Sequence, residues 1–315
     1  MTTRSKSKLT LIFLGSITAL LLVVIPSEAQ SVGAATNING SGNIFQALVL
    51  GLVQGITEFL PISSTAHLLV TTKIFGWEEL GRKEYVDGIQ FGSVIAVFIY
   101  FWHDISSLLQ GGLKAAAKQD WDNSDVKILA GIVIGSLPAL IVGYIFKGKI
   151  PDSAAIIAVM SLVMATLLFL AERYGTRQRG FERLTLKDGF LVGLAQTIAL
   201  LPGVSRSGST ITGALFLGLE RETAARFSFL VGLPTLTIAT LYQSFKIFKD
   251  FLGGELPDNM LLLLLVGMVS TFIFSYLSIA FLMNYLKTKD TMIFVWYRYA
   301  FGAALLTALA LGWKA

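Results

Sequence analysis

Two clusters of hydroxyl and charged residues interrupt apolar sequence: Thr57-Glu58-Phe59-Leu60-Pro61-Ile62-Ser63-Ser64-Thr65-Ala66-His67 and Leu201-Pro202-Gly203-Val204-Ser205-Arg206-Ser207-Gly208-Ser209-Thr210. Ionisable groups inside hydrocarbon-length segments are costly, so their presence points to a working site. Gln54 and Glu58 are four apart and share one helix face. A carboxylate at Glu58 can take a proton, or hold a divalent cation through oxygen. The plainer reading is a glutamate paired with an arginine for packing. Ser64 and His67 are three apart on the next arm, and a serine beside a histidine is a minimal activated nucleophile. The plainer reading is that Ser63, Ser64 and Thr65 only satisfy broken backbone. Arg206 can grip phosphate or carboxylate bidentately. Around it Gly203, Ser205, Ser207, Gly208, Ser209 and Thr210 open a helix, and small residues with free N–H groups make an anion cradle. The alternative for Arg206 is a pair with Glu58 that locks two parts of the chain together.

Composition sets the surroundings of these groups. The chain is 54% hydrophobic and 14% charged, against about 25% charged in soluble domains. That defines a polytopic helical membrane protein. The net charge of +5 sits in loops between apolar spans, without the aromatic-interleaved patch of a nucleic-acid binder. There are no cysteines, which excludes disulfides, thiolate catalysis and cysteine-ligated metal clusters.

The elements that must position the clusters follow from hydropathy and length. Residues 1–29 read as a signal peptide: Arg4, Lys6 and Lys8, an apolar run from Leu9 to Ile25, then Ser27-Glu28-Ala29. An uncleaved membrane helix is the other reading. Residues 30–43 read as a flexible extracytoplasmic connection. A single membrane domain fills 44–315. Short arms at 44–60 and 64–75 flank Pro61, and spans follow at about 88–103, 127–146 and 153–172. A second pair of arms, about 187–201 and 207–219, flanks Pro202, with spans at about 224–245, 260–283 and 292–313. Each pair of arms is expected to form a re-entrant helix–break–helix hairpin.

The halves, about 44–172 and 187–313, resemble each other. Gly51-Leu52-Val53-Gln54-Gly55-Ile56 aligns with Gly193-Leu194-Ala195-Gln196-Thr197-Ile198, and Leu60-Pro61 with Leu201-Pro202 after a one-residue shift. One hairpin plus three spans per half is an odd number of crossings, so the expected fold is an all-α inverted repeat with both breaks meeting near mid-bilayer. Arg173, Arg177, Arg179, Arg183 and Lys187 mark the cytoplasmic side, which places residues 30–43 outside. Gln90 is a candidate to line the site. His103-Asp104 reads as a polar helix end, Arg226 and Arg298 as anchors at span ends, and Trp77, Trp102, Trp296 and Trp313 as interface residues.

The stretches Gln54-Gly55-Ile56-Thr57-Glu58-Phe59-Leu60-Pro61-Ile62-Ser63-Ser64-Thr65-Ala66-His67 and Pro202-Gly203-Val204-Ser205-Arg206-Ser207-Gly208-Ser209-Thr210 resemble the undecaprenyl-diphosphatase family, the bacitracin-resistance phosphatases of bacterial envelopes. The resemblance covers about residues 44–313. It implies removal of one phosphate from undecaprenyl diphosphate at the extracytoplasmic side of the plasma membrane, recycling the lipid carrier of cell-wall synthesis. It implies catalytic roles for Glu58, Ser64 and His67, phosphate binding by Arg206, and a divalent cation, magnesium or calcium, with Glu58 a candidate to hold it. Gln54, Ser63, Thr65, Gly203, Ser205, Ser207, Gly208 and Thr210 are then candidates for substrate contact. The family's first motif begins with Glu or Gln, and Gln54 is the neutral option. Ala66 stands where many relatives have glycine.

The rival reading is a transporter or flippase for a prenyl phosphate or another anion, because inverted repeats with broken helices are a transporter signature. A serine beside a histidine argues for hydrolysis, since carrying an anion needs no nucleophile.

Overall fold

The computed structural model describes residues 42–146, 149, 153–257 and 259–313. The expected leader at 1–29 and nearly all of the connection 30–43 lie outside the described residues. Among those residues the fold is all-helical, with eleven α-helices and one 3-10 turn, Phe181–Arg183. The helices are α1 (Ile44–Phe59), α2 (Ser64–Phe75), α3 (Lys83–Tyr100), α4 (Trp102–Ala117), α5 (Ser124–Ile145), α6 (Ala154–Tyr174), α7 (Leu186–Ile198), α8 (Arg206–Phe216), α9 (Arg221–Leu252), α10 (Met260–Leu286) and α11 (Met292–Ala310). Five of them, α5, α6, α9, α10 and α11, are long and apolar enough to cross a membrane, and the bent pair α3–α4 makes up to six. The chain is a multi-pass membrane protein.

The arms of both hairpins start and stop for local reasons. Asn43 and Gln46 form a capping box at the start of α1, and Thr185 and Asp188 form another at α7. α1 stops where Leu60 turns extended (φ −69°, ψ 143°), the backbone a following proline favours. α2 and α8 each begin just after a serine with positive φ, 77° at Ser63 and 72° at Ser205. Such backbone is sparsely populated and costs about 1–3 kcal/mol per residue. The two breaks are therefore held by their surroundings.

The expected span 88–103 differs from the structure. Its helix begins at Lys83, and the chain does not leave the helical state at His103-Asp104 but bends by 62° into α4. α4 mixes Ser106, Ser107, Gln110 and Lys114 with Leu108, Leu109 and Leu113, so it continues as an amphipathic helix. Asp104 sits in its first turn, where a carboxylate is favoured. α9 runs seven residues beyond the expected end at 245, to Leu252, and carries Pro234 in its interior.

Packing exchanges partners between halves. α1 lies along α10, and α7 lies along α5. Glycines allow both approaches. A Cβ at Gly193 would overlap the Gly135 carbonyl oxygen, and one at Gly51 would lie 2.6 Å from the Gly267 carbonyl oxygen. Ser270 and Ser278 of α10 donate to the Leu48 and Ile56 carbonyls of α1 at 2.8 and 2.9 Å. Ion pairs tie the basic loop to the helix ends. Glu172 accepts from Arg177 and Arg221, and Asp188 from Arg179. Arg226, expected as an anchor at a span end, donates to Asp104 at 2.9 and 2.7 Å and lies over the Phe181 ring.

Candidate active site

Glu58 lies in the last turn of α1, one residue before its end at Phe59, and Arg206 opens α8 directly after the second break. Arg206 donates through Nη2 to Glu58 Oε1 across 148 residues of sequence. The other carboxylate oxygen, Oε2, accepts from Ser64 Oγ at 2.7 Å and from Gln54 Nε2 at 3.0 Å. Gln54 also donates to Gln90 Oε1. One carboxylate thus gathers three donors, two from its own half and one from the other. Ser207 adds a second link between the tips, since its hydroxyl lies 3.0 Å from the Leu60 carbonyl and 3.3 Å from that of Glu58.

These groups border a cavity of about 420 Å³. Its polar wall includes Glu58, Ser63, Ser64, Thr65, Gln90, Ser205 and Arg206, with Gly203 beside them. Asp87 on α3 and Thr235, Thr240 and Gln243 on α9 extend that wall. Leu200, Leu201, Leu236 and Ala239 give it an apolar side. Asp87, Thr235, Thr240 and Gln243 were not singled out from sequence. Asp87 and Gln90 are three apart on α3, and that spacing was the available signal.

Other sequence candidates stand behind the wall. Gln54, His67, Ser207, Gly208 and Thr210 are buried and do not border the cavity. Thr210 Oγ1 bonds back to the Arg206 carbonyl at 2.9 Å, and the Gly208 N–H is taken by Ser205 Oγ at 3.1 Å. Both serve the start of α8 rather than an open cradle.

The expected Ser64–His67 contact is replaced by two others. Ser64, first residue of α2, turns its hydroxyl back across the break to Glu58. His67 lies one turn later on a different side, 2% exposed, between α2 and α11. Its Nδ1 is 2.7 Å from the Ser63 carbonyl, and Nε2 is 2.6 Å from the Tyr297 hydroxyl. A carbonyl only accepts, so Nδ1 carries hydrogen, and in the neutral ring Nε2 accepts from Tyr297. Phe301 stacks on the imidazole at 4.6 Å between centroids. Both ring nitrogens are engaged away from Ser64.

Arg298 corrects a second expectation. It is no anchor at a membrane surface, being 1% exposed in the second turn of α11. Its Nε, Nη1 and Nη2 donate to the carbonyls of Ser161, Pro61 and Gly203 at 3.2, 3.1 and 2.8 Å. Span ends judged by hydropathy alone concealed it.

Fold and site together define a multi-pass helical membrane protein with a polar cavity between two broken hairpins. Comparison with known proteins gives the family. The family model described as "Bacitracin resistance protein BacA" matches residues 47–304. An undecaprenyl-diphosphatase of Nostoc sp. is 48% identical over 305 residues, covering 93% of each chain. One of Thermosynechococcus vestitus is 51% identical over 269 residues, 85% of this chain and 96% of its own. One of Synechocystis sp. is 46% identical over 296 residues, 92% of this chain and 89% of its own. The chain belongs to the bacitracin resistance protein BacA family.

Proposed function

We propose that the protein hydrolyses undecaprenyl diphosphate to undecaprenyl phosphate and inorganic phosphate, recycling a lipid carrier of cell-wall synthesis. The observation that carries the reading is one cavity in which a hydroxyl, its carboxylate base and a guanidinium meet: Ser64, Glu58 and Arg206. The named relatives support the same substrate.

The terminal phosphate enters against Arg206, whose guanidinium exchanges part of its carboxylate contact for phosphate oxygens. Ser64 Oγ attacks the terminal phosphorus and its proton passes to Glu58 Oε2. The bridging P–O bond breaks, and undecaprenyl phosphate leaves with that oxygen. Glu58 passes that proton to the leaving phosphate, and the freed carboxylate then deprotonates a water that attacks the phosphoserine. The Ser64 Oγ–P bond breaks, Ser64 regains its proton from Glu58, and inorganic phosphate leaves. Placement and charge neutralisation supply most of the rate in such transfers. Leu200, Leu201, Leu236 and Ala239 take the first isoprene units.

A divalent cation, magnesium or calcium, fits the donor set, which is all oxygen: Glu58, Asp87, Gln90 and the phosphates of the substrate. Among the described residues no three acidic or histidine groups cluster around one point, as suits a hard cation that is bound through one or two carboxylates and substrate phosphates. When bound, it neutralises charge on the phosphate oxygens.

The two halves are read as an inverted repeat. Reciprocal packing of α1 on α10 and α7 on α5, and the matched positive φ at Ser63 and Ser205, support this. The cavity is read as opening to the extracytoplasmic side of a bacterial plasma membrane. Its α9 wall, Thr235 to Gln243, lies 14 to 22 residues past Arg221, roughly 21–33 Å from the arginine-rich end at 1.5 Å per residue.

The test is phosphate release from a prenyl diphosphate by purified protein in detergent, where transport has no meaning. Arg206→Ala and Glu58→Ala should each lose most activity. Full turnover in both would defeat the assignment, and no release while liposomes move the lipid would favour transport.

A further inference from the structure

We propose that Arg298 is a positioning residue whose single guanidinium sets the distance between the two hairpin breaks, and so the placement of Ser64 relative to Arg206. Its Nη1 donates to the Pro61 carbonyl and its Nη2 to the Gly203 carbonyl. Counted back from the helix that follows each break, rather than from the prolines, these are equivalent points. Pro61 is three residues before Ser64 and two before Ser63, while Gly203 is three before Arg206 and two before Ser205. One fork therefore holds the same step of both breaks, each just ahead of a serine with positive φ.

The chemistry of the contact explains why an arginine is there. Helix breaks leave carbonyls without intrahelical partners, and in a membrane each one needs a donor. Arginine presents its donors in a rigid planar fork, so satisfying two carbonyls also fixes how far apart they are. The third bond, from Nε to the Ser161 carbonyl of α6, orients the fork. Among the described residues no carboxylate pairs with Arg298, so its charge rests on backbone dipoles alone. A Cβ at Gly208 would lie 3.4 Å from its Nη1, which puts the guanidinium under the first turn of α8. The neighbouring Tyr297 braces the first break again, through His67 to the Ser63 carbonyl. Arg298 borders no part of the cavity and acts only through the backbones it holds.

The rate arm of the test rests on the diphosphatase reading, and the distance arm stands without it. Arg298→Ala and Arg298→Lys are made in the full chain and purified in detergent. For Arg298→Ala, kcat should fall on the order of 100-fold, the scale of an ångström-sized misplacement, with KM within about threefold of wild type. Millimolar guanidinium should restore part of kcat. Arg298→Lys keeps the charge without the fork and should lose about tenfold in kcat; it carries the test if the alanine variant does not fold. Because the chain has no cysteine, spin labels at Thr65→Cys and Leu201→Cys report the separation of the breaks. Their distance distribution should broaden in both variants and narrow again with guanidinium in Arg298→Ala. An unchanged distribution would overturn the proposal, as would a kcat loss that guanidinium does not touch and that tracks thermal unfolding. Wild-type protein that releases no phosphate would instead strike the function reading, and the distance arm would then decide.

Discussion

Ser64 and Glu58 meet at 2.7 Å across Pro61, with the serine as donor and the carboxylate as acceptor. That contact makes Glu58 the group in line to receive the serine proton. A positioned base is worth about 10²–10⁴-fold in rate. Glu58→Gln keeps the shape but cannot take a proton, and phosphate release should fall within that range. Ser64→Ala should fall at least as far. Because the two act as one unit, the double variant should be little worse than the poorer single one. Multiplicative losses would separate their roles.

His67 sits apart from this pair, and a different outcome follows. Its ring nitrogens serve the Ser63 carbonyl and the Tyr297 hydroxyl in a buried pocket. Tyr297→Phe removes the partner of Nε2 and leaves a buried polar atom unsatisfied, which costs about 1–3 kcal/mol. Thermal unfolding in detergent should show that loss. The shape of the pH–rate profile should stay that of wild type, since the imidazole does not face the cavity. A profile that loses a limb would return His67 to the chemistry.

The hairpins were legible because their signals are local. Proline with hydroxyl and charged residues inside an apolar run marks a break, and the structure puts helix ends within a few residues of the expected ones at Phe59, Ile198 and Phe216. The Gln54–Glu58 face was legible from helical spacing and is a hydrogen bond of 3.0 Å. The partner of Ser64 was not, because helical spacing describes neighbours along α2, whereas the first residue of a helix can face back over the break. Arg298 was invisible for another reason. What it binds is backbone, from residues 95, 137 and 237 positions away, and carbonyls leave no mark in composition. Both readings offered for Arg206 coexist, since it borders the cavity and also pairs with Glu58.

Metal removal tests the oxygen-lined wall. Chelation should abolish most phosphate release, and magnesium or calcium should restore it. Asp87 borders the cavity, and the charges of Lys83 and Lys246 act on its carboxylate, so a cation there would compete with them. Asp87→Asn should raise the half-saturating cation concentration by about tenfold, the factor for roughly 1.4 kcal/mol. Mn²⁺ binding followed by paramagnetic resonance should weaken in parallel. Activity indifferent to chelator would remove the cation from the reading.

Glu172 offers a contrast far from the cavity. Its side chain is 5% exposed and joins the end of α6 to Arg177 and to Arg221 at the start of α9. It also accepts from the N–H and hydroxyl of Thr291, just before α11, at 3.1 and 2.8 Å. Removing a buried carboxylate from such a set costs about 3–5 kcal/mol. Here the arginines are about one-third exposed, 30% and 31%, so water compensates part of the loss. Glu172→Ala should therefore destabilise the protein by about 2 kcal/mol. Because α6 carries the Ser161 carbonyl that orients Arg298, and α11 carries Arg298 itself, the loosening is expected to reach the breaks only if that junction is rigid over three turns. We expect it not to be. Folded Glu172→Ala should keep kcat and KM within about twofold of wild type while its unfolding temperature drops. A folded variant with a large kcat loss would mean that the basic end of the bundle helps set the spacing of the hairpin tips.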